Sequence, residues 1–185
     1  MKTMASNLNR SAEGGSLGAE DLMAQVYEDL RRLAASRMSR LPPGQTLQPT
    51  ALVHEAWLRL EGADLQKWQS RSHFFAAAAE AMRRVIVDHI RRKARLKRGA
   101  GWERLDIQVN DLADAASDEK ILLINEALEE FQARDPEKAQ LVVLKFFCGL
   151  TDQEAAATLG VTERTIERHW AYARAWLMRA IERAR

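Results

Sequence analysis

TDQEAAATLGVTERTIERHWAYARAWL, residues 151–177, reads as two helices joined by a tight turn. Thr151 has Glu154 three residues on, the spacing at which each side chain satisfies the other's free backbone amide at a helix start. Gly160 stands where a sharp turn needs a positive φ, which glycine adopts without a steric penalty. Ala156 is small where the partner helix must cross closely, and Ile166 is apolar where the second helix packs back. Thr162 supplies a cap for that second helix. A cap on each helix, with a small residue, a turn glycine and a returning aliphatic at these spacings, predicts a helix-turn-helix.

Upstream of this unit the helical pattern continues. Ala139 to Phe147 predicts a helix ended by Gly149, and Ile121, Ile124, Leu128 and Phe131 mark an amphipathic helix that stops near Asp135-Pro136. Gly99 to Ser117 has weak periodicity, two glycines and scattered acids, the composition of a flexible linker. Before it, a long element runs from about Ser72 into the basic run that ends near Gly99. It is either one helix or two with a short break near Glu80 to Arg84. Pro49 to about Glu61 is predicted helical, with Pro49 in the first turn and Leu52, Val53, Trp57 and Leu60 on one side. An earlier helix is expected from about Ala19 to Ser39 on Leu22, Val26, Leu30 and Leu33, and residues 1–18 are expected to form a mobile tail. No alternating strand pattern occurs. The fold class is therefore all-α, with two small helical domains (19–98 and 118–185), a flexible linker over 99–117, and the helix-turn-helix in the second domain.

Composition narrows the function classes. The 185 residues are 46% hydrophobic and 29% charged, the balance of an ordered helical protein. Net charge is only +2, but its distribution is uneven. Arg83 to Arg98 holds eight Lys or Arg against the single Asp88, whereas Trp102 to Lys138 holds eleven acids against four bases. Cys148 is the only cysteine, which excludes an internal disulfide and any multi-cysteine zinc site, and it is expected to be a buried small hydrophobe. No run of apolar residues is long enough for a membrane span, and the N-terminus lacks the apolar core of a signal peptide, so a cytoplasmic location is expected. His54, His73, His89 and His169 are far apart, none in a metal-binding spacing, and no glycine-rich phosphate loop is present. No cofactor, metal or catalytic constellation is expected, and the chain is not read as an enzyme.

The second helix of a helix-turn-helix enters the major groove with its N-terminal residues toward the bases. Thr162, Glu163, Arg164, Thr165, Glu167 and Arg168 are the expected contacts there. Arginine can grip guanine or hold phosphate, and glutamate can accept from cytosine. The basic cluster of Arg83, Arg84, Arg91, Arg92, Lys93, Arg95, Lys97 and Arg98 implies a second nucleic-acid contact, because each phosphate neutralised releases counterions.

These residues together resemble the extracytoplasmic-function (ECF) sigma factors of the sigma-70 family, from about Ala19 to Arg183. TALVHEAWLRL (50–60) is similar to the helix with which such factors grip the clamp helices of the polymerase β′ subunit. FFAAAAEAMRRVIVDHIRR (74–92) resembles their promoter-opening segment, and residues 140–178 their −35 reader. The resemblance implies that Val53, Glu55, Trp57 and Leu58 face bacterial core RNA polymerase. It implies that Glu80 to Arg84, including Met82 and Arg83, form the loop capturing a flipped −10 base, and that Arg91, Arg92 and Arg95 track DNA beside it. The partners implied are core polymerase, through the β′ clamp helices and the β flap, promoter DNA, and an anti-sigma factor. Two departures stand out. Gln48-Pro49-Thr50 replaces the acids common before the polymerase-binding helix, and Glu-Ala-Met-Arg-Arg stands where the capture loop often carries Asn.

Two other readings compete. A one-component regulator would use the helix-turn-helix on duplex DNA without polymerase and would carry a ligand pocket or dimer helix in residues 19–98. An adaptor would use Trp57 and Trp68 as a protein-binding face without melting DNA. The basic block from Arg83 to Arg98 fits a nucleic-acid surface better than either.

Overall fold

The computed structural model describes residues 48–61, 71–96 and 117–184, together with residues 27, 28, 30–32, 34 and 35. The expected tail, most of the expected linker, and Leu22, Val26, Leu33 and Trp68 lie outside the described residues. All regular structure among the described residues is helical. The elements are α1 (Pro49–Glu61), α2 (Arg71–Leu96), α3 (Asp118–Arg134), α4 (Pro136–Val142), a π-helical turn (Val143–Phe147), α5 (Asp152–Leu159) and α6 (Glu163–Arg183). Helical residues between Tyr27 and Ala35 precede them and contribute the buried Leu30 and Ala34.

The first unit is α1 laid along α2. Leu52, Val53, Ala56 and Leu60 recur at helical spacing on the buried side of α1, and Phe74, Phe75, Ala78, Met82, Val85, Ile86 and Ile90 are buried along α2. Charges close the rim, with Arg59 donating to Asp88 at 2.8 Å and Arg92 lying 3.9 Å from Glu55. The break considered near Glu80 to Arg84 is absent. No glycine or proline interrupts this stretch, and Glu80 pairs with Arg83 and Arg84, three and four residues on, which favours continuous helix.

The second unit is built on α3. Phe131 is fully buried and stacks on Trp176 of α6, ring centroids 4.7 Å apart, with Tyr172 at 6.3 Å. Between α3 and α4, Asp135 serves both helices. Its backbone amide donates to Phe131 O, closing α3, and its carboxylate accepts from the Lys138 amide at 3.1 Å, opening α4, while Pro136 takes the first turn. The helix expected over Ala139–Phe147 starts earlier, at Pro136, and changes winding at Val143. It ends as expected at Gly149, with φ 74°.

The hydrogen bond from the Lys138 side chain, helped by that lysine's amide and charge and by His169, holds the Asp135 carboxyl below the usual carboxylate range against a smaller opposing effect of burial. A carboxylate whose folded pKa is depressed contributes stability above its unfolded value, about 3.9, and loses it as pH falls through the folded value. Asp135→Ala is therefore expected to cost about 1 kcal/mol in urea unfolding at neutral pH. The gap from the unsubstituted chain is expected to close on acidification below pH ~4. A gap that stays constant across that range would assign the loss to something other than the ionised cap.

Candidate nucleic-acid interface

The turn between α5 and α6 is built as its sequence requires. Thr151 and Glu154 form a reciprocal capping box at the start of α5, the Glu154 amide donating to Thr151 Oγ1 at 3.2 Å and the Thr151 amide to Glu154 Oε2 at 2.9 Å. Gly160 ends α5 in the left-handed region at φ 68°, and its amide donates to Ala156 O. Thr162 caps α6, its hydroxyl accepting from the Thr165 amide at 3.2 Å and lying 3.0 Å from Thr165 Oγ1. One side of α6 is fixed inward by Ile166, Ala173, Leu177 and Ile181, all buried. Lys145 sits over the Trp170 ring and pairs with Asp152, tying α5 and α6 to the π turn.

This packing leaves Thr162, Glu163, Arg164, Glu167 and Arg168 exposed on the first two turns of α6, with Thr165 half-buried beside its cap. Neither Arg164 nor Arg168 has an ion-pair partner among the described residues. Two guanidinium groups beside the positive end of a helix dipole form a surface suited to phosphate and guanine. Farther along α6, Tyr172, Trp176, Arg179 and Arg183 line, together with Arg134 of α3, a groove of about 330 Å³ that the sequence reading missed. Arg168, Ala175 and Arg179 recur at helical spacing, so the groove prolongs the basic side of the helix.

The residues expected at the second DNA contact divide into two sets. Arg84, Arg91, Arg92 and Arg95 are exposed along α2. Met82 is fully buried and Arg83 is only 5% exposed, so the exposed capture loop expected at Glu80 to Arg84 is corrected to a helical turn whose Met82 and Arg83 face inward. Glu80 accepts from Arg83 at 2.7 and 3.0 Å and from Arg84 at 3.2 Å. Arg83 Nη1 also donates to Asn125 Oδ1 of α3 at 2.7 Å, across the two units. Lys93 pairs with Asp118 at 2.8 Å, and Cys148, buried as expected, has its Sγ 4.0 Å from Ala79 O. Asn125 and Asp118 were not anticipated. An Asn on the Ile121, Ile124 and Leu128 side of an amphipathic helix was the available sign of a buried polar partner.

On α1, Leu58 stands 53% exposed, Glu55 is half-exposed, and Trp57 is half-buried with its ring 5.8 Å from Phe74. Val53 is fully buried. It has no surface to give a partner, because it lies with Leu52, Ala56 and Leu60 on the side packed against α2, and its assignment to the polymerase contact is withdrawn. Of the remaining three, Leu58 is exposed and Glu55 and Trp57 keep part of their surface open.

Searches of curated proteins and of solved structures returned no match. A family model described as ECF sigma factor matches residues 1–183, both helical units included. With the match spanning nearly the whole chain, and an all-helical architecture beneath it, the chain belongs to the ECF sigma factor family.

Proposed function

We propose that the protein directs core RNA polymerase to promoters with two elements, reading the −35 duplex with the N-terminal turns of α6 and the −10 region with α2. The family as a whole consists of RNA polymerase sigma factors, which bind core polymerase and promoter DNA and often an anti-sigma factor, and it is not a family of enzymes. The reading beyond that is supported by one observation: two arginine-bearing faces stand exposed on two different helices of one chain, α6 and α2. Arg164 and Arg168, with Thr162, Glu163, Thr165 and Glu167, serve the duplex; Arg84, Arg91, Arg92 and Arg95 follow the backbone near −10. Glu80, part-exposed on the same helix, supports the unpaired strand there, while Met82 and Arg83 stay in the packed interior. Glu55, Trp57 and Leu58 dock on the β′ clamp helices, and the second unit meets the β flap. The place of action is then the cytoplasm, where polymerase is.

Two weak contacts held at fixed spacing gain effective concentration once either forms, and polymerase supplies that spacing. Protein-dependent run-off transcripts from a genomic fragment library with core polymerase, sharing two upstream sequence elements, are the expected result. Duplex binding without any such transcripts would sink the proposal. Once the promoter is known, Arg168→Ala is expected to weaken its −35 binding by about 1–3 kcal/mol and to relax base preference at one position. Unchanged selectivity would remove Arg168 from the readers.

A further inference from the structure

We propose that the groove between α3 and α6 binds a free purine nucleoside polyphosphate, with the base laid against Tyr172 and the phosphates held by Arg134, Arg179 and Arg183. None of the groove's residues belongs to the promoter or clamp-helix contacts proposed above. The recess is a product of helical spacing. Tyr172, Ala175, Trp176 and Arg179 stand at i, i+3, i+4 and i+7 of α6, so they share one face, and the alanine methyl leaves a hollow among larger side chains. Arg134, at the end of α3, and Arg183, one turn after Arg179, complete the lining. The resulting volume of about 330 Å³ falls at the lower end of the range for small-molecule sites.

The two halves of this lining differ in chemistry. The aromatic half is fixed by packing: Trp176 stacks on the buried Phe131 at 4.7 Å, and Tyr172 lies 6.3 Å from the same ring with Lys138 Nζ 5.4 Å from its own centroid. Tyr172 nevertheless stays 45% exposed. A held ring with open surface is a platform on which a base can stack. The cationic half brings three guanidinium groups to one hollow, and no carboxylate lines it. Helix dipoles account for two of them, since Arg134 and Arg183 lie in the last turns of α3 and α6, where a cation is favoured. They do not account for Arg179, which stands four residues before Arg183, a spacing at which like charges repel. Neither Arg134 nor Arg179 has an ion-pair partner among the described residues. Arg183 reaches Glu130 at 2.9 Å, but both side chains are more than half exposed, so an anion displaces that carboxylate at little cost. Each guanidinium fork matches a pair of phosphate oxygens, and a run of phosphates meets all three where a single anion would leave most of them unmet. Ring and forks together select a ligand with a planar base at one end and several phosphates at the other. A purine presents the larger face for stacking.

The test is isothermal titration of the full chain with ATP and with GTP, and with inorganic tripolyphosphate and adenosine as probes of each half alone. Saturable binding of at least one of the two nucleotides is expected below about 1 mM, with tripolyphosphate and adenosine each weaker by about tenfold or more. Ala175→Leu, which fills the hollow at an exposed position without altering charge, and Arg179→Gln are each expected to weaken the nucleotide by about tenfold or more. Arg31→Gln, which removes an exposed arginine outside the groove, is expected to leave it unchanged. Absence of saturable binding by both nucleotides overturns the site, as does a folded Ala175→Leu chain that binds like the unsubstituted one. Tripolyphosphate or a hexaglutamate peptide binding as tightly as the nucleotide overturns the base contact, and an equal loss in Arg31→Gln reduces the attraction to diffuse charge. A mixed-sequence single-stranded DNA of about 20 nucleotides that binds more tightly than ATP, and loses that binding in Ala175→Leu, makes the ligand a strand and overturns the free nucleotide. If circular dichroism shows Ala175→Leu unfolded, Arg179→Gln decides on the same terms.

Discussion

Phe131→Ala is expected to lower the stability of the second unit by about 3–5 kcal/mol, the largest loss from any single substitution considered for this chain. The ring has no exposed surface and stacks on Trp176 at 4.7 Å with a 29° tilt, so truncation opens a cavity and removes the partner of an indole together. An aromatic pair adds about 0.5–1.5 kcal/mol beyond burial. Because α6 is held to α3 through this stack, Arg164 and Arg168 are expected to lose their fixed position as well. Urea unfolding followed by tryptophan fluorescence measures the loss. A cost below about 1 kcal/mol would mean that α6 is anchored chiefly elsewhere.

Leu58→Asp is expected to reduce affinity for core polymerase by about 2 kcal/mol or more, roughly thirtyfold, while changing unfolding stability by less than about 0.5 kcal/mol. Leu58 separates docking from folding better than its neighbour does. It is the exposed large aliphatic of α1, whereas Trp57 packs against Phe74 and would disturb the first unit if truncated. A polymerase titration in which Leu58→Asp binds like the unsubstituted chain would move the docking surface off this part of α1.

The parts of the fold that were legible in the sequence are those set by local rules. Thr151 with Glu154, Gly160 and Thr162 each carry a backbone requirement that only a few residue types meet, and the structure uses each as read. The bounds of α1 follow in the same way from Pro49 and from the apolar spacing of its buried side. Periodicity could not decide whether α2 was broken, since a charged turn such as Glu80 to Arg84 suits either a loop or an ion-paired helix. The difference is made by the Glu80 carboxylate, which binds both arginines along the helix.

What sequence reading could not reach was the meeting of distant residues. Arg83 and Asn125 are 42 positions apart and belong to elements that no local rule brings together. Arg83 lay in a run of cations and was grouped with them by charge, although its burial sets it apart from Arg84 beside it. Val53 was misplaced for a related reason. A resemblance transfers a helix as a unit, but only the angular position of each residue on that helix decides whether it faces a partner or the core.

The π turn at Val143–Phe147 bears on how such a chain diverges from its kin. A π turn holds one residue more than the α turn it replaces, so it is what a single-codon insertion into a helix leaves behind. Here it lies between α2 on one side and α4 and α5 on the other, and Val143, Leu144, Phe146 and Phe147 are all buried, a wider spread than the one stripe an ordinary surface helix presents. Deleting one codon from it would restore ordinary winding with the flanking helical segments still in phase, and would take one side chain out of this buried set. A descendant that lost that codon would keep both arginine faces and the helices on either side, with one apolar side chain fewer in the seat against α2.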